Sequence, residues 1–248
     1  MRPDGRQLEE IRKVTIEPDW VRYAEGSVLY RAGDTMVLCN ASVSDRTAPF
    51  LRGTGEGWVT AEYAMLPRAT DSRTDREVKK GRPSGRSHEI QRLIGRSLRA
   101  AVRRDLMGER SIIVDCDVLQ ADGSTRTCSI SGGWVALVLA MAKMYEQGIL
   151  KDWPIVHQVV AVAVGLVGTE VRVDLDYAED LDCDVDLNIV FIGDGRLVEV
   201  QGTAEGEAFS RGDFQLMLDR GWQGAEEIMK AQREIVAPRL EAIGVSLP

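Results

Sequence analysis

Histidine and paired cysteines are scarce in this chain, and each shortage removes a class of chemistry. Only two histidines occur, His88 and His157. No HExxH or GxSxG run accompanies them, which excludes zincin-type metalloproteases and serine-hydrolase triads. The four cysteines, Cys39, Cys116, Cys128 and Cys183, lie far apart without a CxxC pair. Structural zinc and thioredoxin-type redox chemistry are therefore out, and buried reduced thiols in a cytoplasmic protein are the expectation. There is no GxxxxGK[ST] phosphate loop. Gly53-Thr54-Gly55-Glu56-Gly57 leads into the strand-like WVTAEY rather than a helix, so it is no dinucleotide loop. No apolar run reaches the ~18 residues of a membrane span, and the charged start MRPDGRQLEEIRK lacks the apolar core of a signal peptide.

What the chain does have is an ordinary globular composition with an uneven charge. Its 248 residues are 44% hydrophobic and 28% charged, enough for a sizeable core. The net charge of −8 argues against a nucleic-acid partner only as a total. From Arg68 to Arg110 the chain carries 13 Lys/Arg against 6 acids, a stretch of +7 that leaves −15 for the rest. Local asymmetry of this kind is the footprint an anionic polymer selects. The acids concentrate too. Asp174, Asp176, Glu179, Asp180, Asp182, Asp184 and Asp186 fall within thirteen residues that hold no Lys or Arg. A phosphate-bearing partner could approach that stretch only with a divalent cation between them.

The periodicities predict an α+β fold in which each half runs strands and then a helix. Strands are expected at 27–30, 34–43 and 58–65, with Gly33-Asp34 turning a hairpin. Residues 66–87 read as a long polar loop with a short helix near 73–79. A helix over 89–104 would bury Ile90, Leu93, Ile94, Leu98, Ala101 and Val102 and carry a stripe of Arg92, Arg96, Arg99 and Arg103 opposite. Like charges four apart repel unless something anionic relieves them. A strand at 111–120, an apolar helix from 129 to about 147 and four strands (159–167, 170–177, 184–192, 196–201) arranged as an antiparallel meander follow. The last helix, 213–240, is expected in two pieces broken near Gly221–Gly224.

Two places could carry chemistry. Asp122-Gly123-Ser124-Thr125-Arg126 leaves a strand and enters a helix, so free amides, two hydroxyls and a guanidinium meet at the positive end of a helix dipole. A plain N-cap with a glycine turn would use the same residues. Asp180, Asp182, Asp184 and Asp186 alternate at period two, so a strand would set all four on one face. A two-carboxylate Mg²⁺ site shared with substrate phosphates suits them, and so does a solvated acidic edge that deters strand pairing.

Longer runs carry a resemblance. GSVLYRAGDTMVLCNASV, GWVTAEYAMLPRAT, GRSHEIQRLIGRSLRAAV, DCDVLQADGSTRTCSISG and VEVQGTAEG, in this order, resemble the ribonuclease PH family over essentially the whole chain. The resemblance implies a single α+β catalytic domain, residues 1–248, of two βαβ-type halves. It implies a phosphorolytic 3′→5′ exoribonuclease that trims tRNA 3′ ends. Inorganic phosphate releases nucleoside 5′-diphosphates, and the reverse reaction adds nucleotides. It further implies a homo-hexamer built as a trimer of dimers, acting on tRNA precursors and other RNA 3′ ends, including those of rRNA, with no membrane or DNA partner.

By the same resemblance, Arg86, Ser124, Thr125 and Arg126 bind phosphate, and Asp180 and Asp186 are catalytic and hold Mg²⁺, with Arg86 and Arg126 also catalytic. Arg68, Arg73 and Arg76 grip tRNA, and Arg92 and Arg96 face the RNA backbone. By the resemblance, the chain departs from the family pattern at Ser124, where Gly is usual, at His88, where Gln or another non-ionisable residue is usual, and at Leu181-Asp182-Cys183, which replaces a small Ser-x-Ala run. The alternatives are a non-catalytic RNA-binding subunit of an exosome-like ring, which tends to lose the phosphate arginines or the aspartates, and a hydrolytic phosphatase, for which no activated water base is evident.

Overall fold

The computed structural model describes residues 2 and 4–247. Residues 1, 3 and 248 lie outside that description, as do the side chains of Val78 and of Lys80, the latter one of the basic residues counted above. The first sheet holds β1 (Val14–Pro18), β2 (Gly26–Ala32), β3 (Thr35–Ser44), β5 (Ser111–Gln120) and β4 (Trp58–Met65), in that order. The β2–β3 hairpin turns at Gly33-Asp34 as its sequence demands, with Ala32 opposite Thr35. β4 and β5 run parallel, joined by α1 (Gly85–Arg99). α2 (Thr125–Glu146) leaves β5 and leads into the second sheet, whose strands are β6 (Val159–Val167), β7 (Glu170–Val173), β8 (Val185–Ile192) and β9 (Leu197–Ala204). α3 (Tyr177–Asp182) lies between β7 and β8, and α4 (Arg211–Ala242) closes the chain.

The second sheet is antiparallel throughout, but its order is β7-β6-β8-β9 rather than a meander. The connection through α3 carries the chain across, so β8 pairs β6 and not β7. α3 also corrects the reading of residues 180–186 as one acidic strand edge. Asp180 and Asp182 are helical, Asp184 is spent on the amide of Gly168 (2.7 Å), and only Asp186 belongs to β8. The other corrections are smaller. β7 stops at Val173 rather than 177, the short helix of the 66–87 loop is a 3₁₀ turn over Glu77–Lys80, and α1 begins and ends about a turn earlier than expected. β1 was not expected at all.

α4 does not break at its glycines. A Cβ at Gly224 would stand 2.6 Å from the Val173 side chain, so glycine there lets the helix lie close on β7, and the capping box of Ser210 and Asp213 starts it as one 32-residue unit. α2 touches β2 and β3 of one sheet and β6 of the other, and also packs on α1 and α4. It is the one described helix long and apolar enough to cross a membrane, yet 94% of its apolar window is buried inside the protein. A single apolar cluster therefore spans both halves, from Val28 and Val114 through Trp134 to Val162 and Ile228. All four cysteines are free and buried, as expected.

Candidate active site

The packing of α2 between the sheets brings its N-terminus to a cleft of about 1220 Å³ shared by both halves of the chain. One wall comes from the α1 and α2 starts, with Arg86, Glu89 and residues 121–126. The other comes from α3 and β8, with Asp180, Cys183 and Asp186. Helix starts explain the first wall. α1 is capped by Ser84, whose hydroxyl oxygen accepts from the amide of Ser87 at 3.1 Å, and this places Arg86 in the first turn. α2 has no side-chain cap at all. Its N-cap, Ser124, takes a left-handed backbone (φ 54), and its hydroxyl donates to the carbonyl of Leu175 at 2.8 Å instead. The first amides of α2 are thereby left without a capping side chain at the end of a helix dipole, which is an anion seat.

The guanidinium of Arg126 is fixed by Gln201, which accepts from it at 3.2 Å, and stands 3.7 Å from Glu89. Gln201 donates in turn to Glu199 at 3.1 Å, and Glu199 pairs with Arg96. A chain of polar contacts thus ties α1 to the anion seat. The hydroxyls of Ser124 and Thr125, expected to face phosphate, do not: Thr125 shares a 2.9 Å hydrogen bond with the hydroxyl of Tyr63. Only the backbone amides of these two residues remain for an anion.

The second wall is a carboxylate pair under strain. Burial and the Asp180 charge push Asp186 up to about 6, against the pull of Arg126 and a hydrogen bond from Asn188 (3.0 Å). Burial likewise raises Asp180, with Arg126 and Arg86 opposing it. The Oδ1 atom of Asp186 is buried and has no hydrogen-bond partner. An unpaired carboxylate oxygen beside a second carboxylate fits a hard divalent cation, which takes one or two carboxylates and completes its shell from substrate phosphates and water. Among the described residues no group of three or more His, Cys, Asp or Glu forms a full protein cage. Cys183 is no nucleophile, since burial and the two aspartates push its thiol up to about 12.

The expected RNA contacts lie outside this inner set. Arg68, Arg73 and Arg76 are exposed on the loop whose residues 70–72 edge the cleft, and Arg73 pairs with Asp75 at 3.3 Å. The arginine stripe of α1 is dissolved. Arg99 lies on the Trp58 ring (4.3 Å), Arg103 falls beyond the helix and pairs with Asp105, and Arg96 pairs with Glu199. Only Arg92 of the four is exposed without an ion pair among the described residues. His88 is exposed and does not line the cleft. The sequence reading missed Tyr177, Asn188 and Glu205 as cleft residues. Tyr177 and Leu181, one turn apart on α3, are respectively 56% and 67% exposed at its edge, apolar surface a base could cover.

Open helix-start amides and arginines facing a carboxylate pair, in a cleft lined by no histidine among the described residues, suit phosphoryl transfer. Comparison with known proteins carries this further. Residues 10–143 match domain 1, and residues 157–224 domain 2, of the 3′ exoribonuclease family. Ribonuclease PH of Cereibacter sphaeroides is 54% identical over 233 residues, covering 94% of this chain and 98% of the relative. Ribonuclease PH of Moorella thermoacetica is 50% identical over 244 residues, 98% of each. Rice (Oryza sativa) Rrp46 shares the fold with a TM-score of 0.78 at 20% identity, over 95% of this chain and 100% of its own. A chain of the Archaeoglobus fulgidus exosome, solved with RNA bound to its active site, gives a TM-score of 0.77 at 25% identity over 92% and 91%. The chain belongs to the ribonuclease PH branch of this family, phosphorolytic 3′ exoribonucleases with inorganic phosphate as co-substrate.

Proposed function

We propose that the chain trims the 3′ ends of tRNA precursors, with phosphate seated on the α2 amides between Arg86 and Arg126 and the terminal linkage between that seat and Asp180 and Asp186. The observation that carries this placement is the uncapped start of α2 facing the unpaired Oδ1 of Asp186 across one cleft. Arg86 and Arg126 orient the phosphate in line with the terminal phosphorus. An oxygen of hydrogen phosphate bonds to that phosphorus as the bond to the preceding 3′ oxygen breaks, and the proton the hydrogen phosphate gives up ends on that 3′ oxygen. The products are a nucleoside 5′-diphosphate and an RNA one residue shorter. One phosphodiester is exchanged for one phosphoanhydride, so the reverse reaction is accessible. Phosphate is its own nucleophile, and no serine, cysteine or histidine is needed.

Asp180 and Asp186 would hold Mg²⁺, which when bound offsets charge on the phosphoryl oxygens. The exposed Arg68, Arg73, Arg76 and Arg92 supply charge for the tRNA body, and Arg96, engaged by Glu199, braces Arg126 through Gln201 rather than meeting RNA directly. The likeness to exosome subunits supports a ring, which we read as a homo-hexamer, a trimer of dimers. The same chemistry serves other RNA 3′ ends, those of rRNA among them. The test is a 3′-extended tRNA incubated with and without phosphate, with products identified. Shortening only with phosphate, to nucleoside diphosphates, is expected. Nucleoside monophosphates without phosphate would make the chain a hydrolase, and RNA binding without shortening would make it a non-catalytic ring subunit.

A further inference from the structure

Three described non-glycine residues have a left-handed backbone, and two of them, Ser124 (φ 54) and Asp174 (φ 54), stand on opposite sides of one contact between the cleft's two walls. Such a conformation costs about 1–2 kcal/mol and persists only where the surroundings over-determine it. The hydroxyl of Ser124 donates to the Leu175 carbonyl at 2.8 Å. Gly123 (φ +73) comes so close to the same segment that a Cβ there would lie 2.6 Å from that carbonyl oxygen.

Arg12 joins both sides from beneath. Its main-chain amide and Nε donate to Oδ2 of Asp174 at 2.8 and 2.9 Å and its Nη2 to Oδ1 at 2.7 Å. Its Nη1 donates to the carbonyl of Asp122. The side chain is only 4% exposed. Arg2, also buried, donates to the Asp174 carbonyl at 3.0 Å and grips Glu179, the residue before Asp180, with bonds of 2.8 and 2.6 Å. None of the side chains of Arg2, Arg12, Asp174 and Glu179 lines the cleft.

We infer that Arg12, with Ser124, is a positioning device: it locks the phosphate loop to the segment that feeds α3 and so sets the spacing between the α2 amides and Asp180. The inference rests on the phosphate-seat reading above. α2 has no cap to fix where its first turn begins, and this latch takes the place of one. Ser124 strengthens it with the side-chain bond to the Leu175 carbonyl. In-line attack is sensitive to ångström-scale misplacement, so a loosened latch acts on phosphate before it acts on RNA.

The experiment compares Ser124→Ala and Arg12→Lys in the full chain. Alanine keeps the left-handed position and loses the bond; lysine keeps the charge but cannot reach both Asp174 and the Asp122 carbonyl. KM for inorganic phosphate should rise roughly fivefold or more in each, the worth of one lost hydrogen bond, with RNA affinity unchanged. The rise in melting temperature caused by saturating phosphate should shrink in parallel, an effect a merely structural role would not produce. A wild-type phosphate KM and thermal shift in folded Ser124→Ala overturn the inference, and that variant decides alone should Arg12→Lys fail to fold. A wild-type enzyme indifferent to phosphate would overturn the phosphate seat with it, whereas phosphate dependence with unaltered variants overturns the latch alone.

Discussion

α2 and α3 both begin at the cleft, and they begin in opposite ways. α3 is closed by a full capping box: Asp176 accepts from the Glu179 amide at 2.9 Å, and Glu179 answers at the Asp176 amide while Arg2 holds its carboxylate. Burial alone would raise the pKa of Glu179, but the bonds and charge of Arg2 outweigh it and keep it below its usual value. α2 has no cap, and the one hydroxyl placed to provide it turns to Leu175. A helix start whose amides are satisfied internally serves stability. One whose amides are left over at a cleft is open to a ligand, and on the proposed reading α3 serves the first purpose and α2 the second.

The sharpest way to break that contrast is to remove the side chain that stands over the open start. Arg126→Ala should lower kcat/KM for phosphate by about two to three orders of magnitude, as for loss of a preorganised charged donor, while tRNA binding persists through the exposed loop arginines. Steady-state phosphate titration alongside an RNA-binding assay separates the two. Equal losses in both would mean that Arg126 holds RNA and not phosphate.

A carboxylate can instead be supplied to the open start. Ser124→Asp puts a fixed anion at the α2 N-terminus, where the dipole favours it and where the incoming phosphate must compete with it. Phosphate KM should rise about tenfold or more above that of Ser124→Ala, a charge effect of ~1.4 kcal/mol beyond the loss of the Leu175 bond. Because Ser124→Ala loses that bond without adding charge, the excess of aspartate over alanine measures the competition directly. A KM no higher than that of alanine would place phosphate away from these amides.

The same contrast explains what was legible in the sequence. Arg86 and Arg126 stand in the runs that carry the family resemblance, Asp180 and Asp186 were assigned through that resemblance rather than from such a run, and the structure brings all four to one cleft. The strands of the first sheet and the apolar face of α1 follow from period and turn chemistry, which are local. What failed was decided by partners distant in the chain. The alternating acids of 180–186 imitate a strand, yet Asp176-Tyr177-Ala178-Glu179 is a capping-box pattern and was the available signal for α3. The glycines of α4 read as a break because nothing local reveals that the second sheet lies against them, β8 and β6 at Gly221 and β7 at Gly224. The two hydroxyls of the phosphate loop are correct in type and wrong in direction, since Tyr63 and Leu175 claim them from 62 and 51 residues away. Arg12 shows no spacing signal at all, its partner Asp174 being 162 residues distant.

The smallest expected effect lies on the closed side. Asp176→Ala removes the α3 cap, which is worth about 1 kcal/mol, so chemical denaturation should show a loss of that size with the denaturant slope unchanged. The Arg2–Glu179 and Arg12–Asp174 pairs lie on either side of the substitution and are untouched by it. The rise in melting temperature produced by saturating phosphate should therefore match that of the wild type, measured from the lower baseline. A cap whose removal diminished that phosphate-dependent rise would show that α3 contributes to the anion seat. The division of labour between the two helix starts would then have to be redrawn.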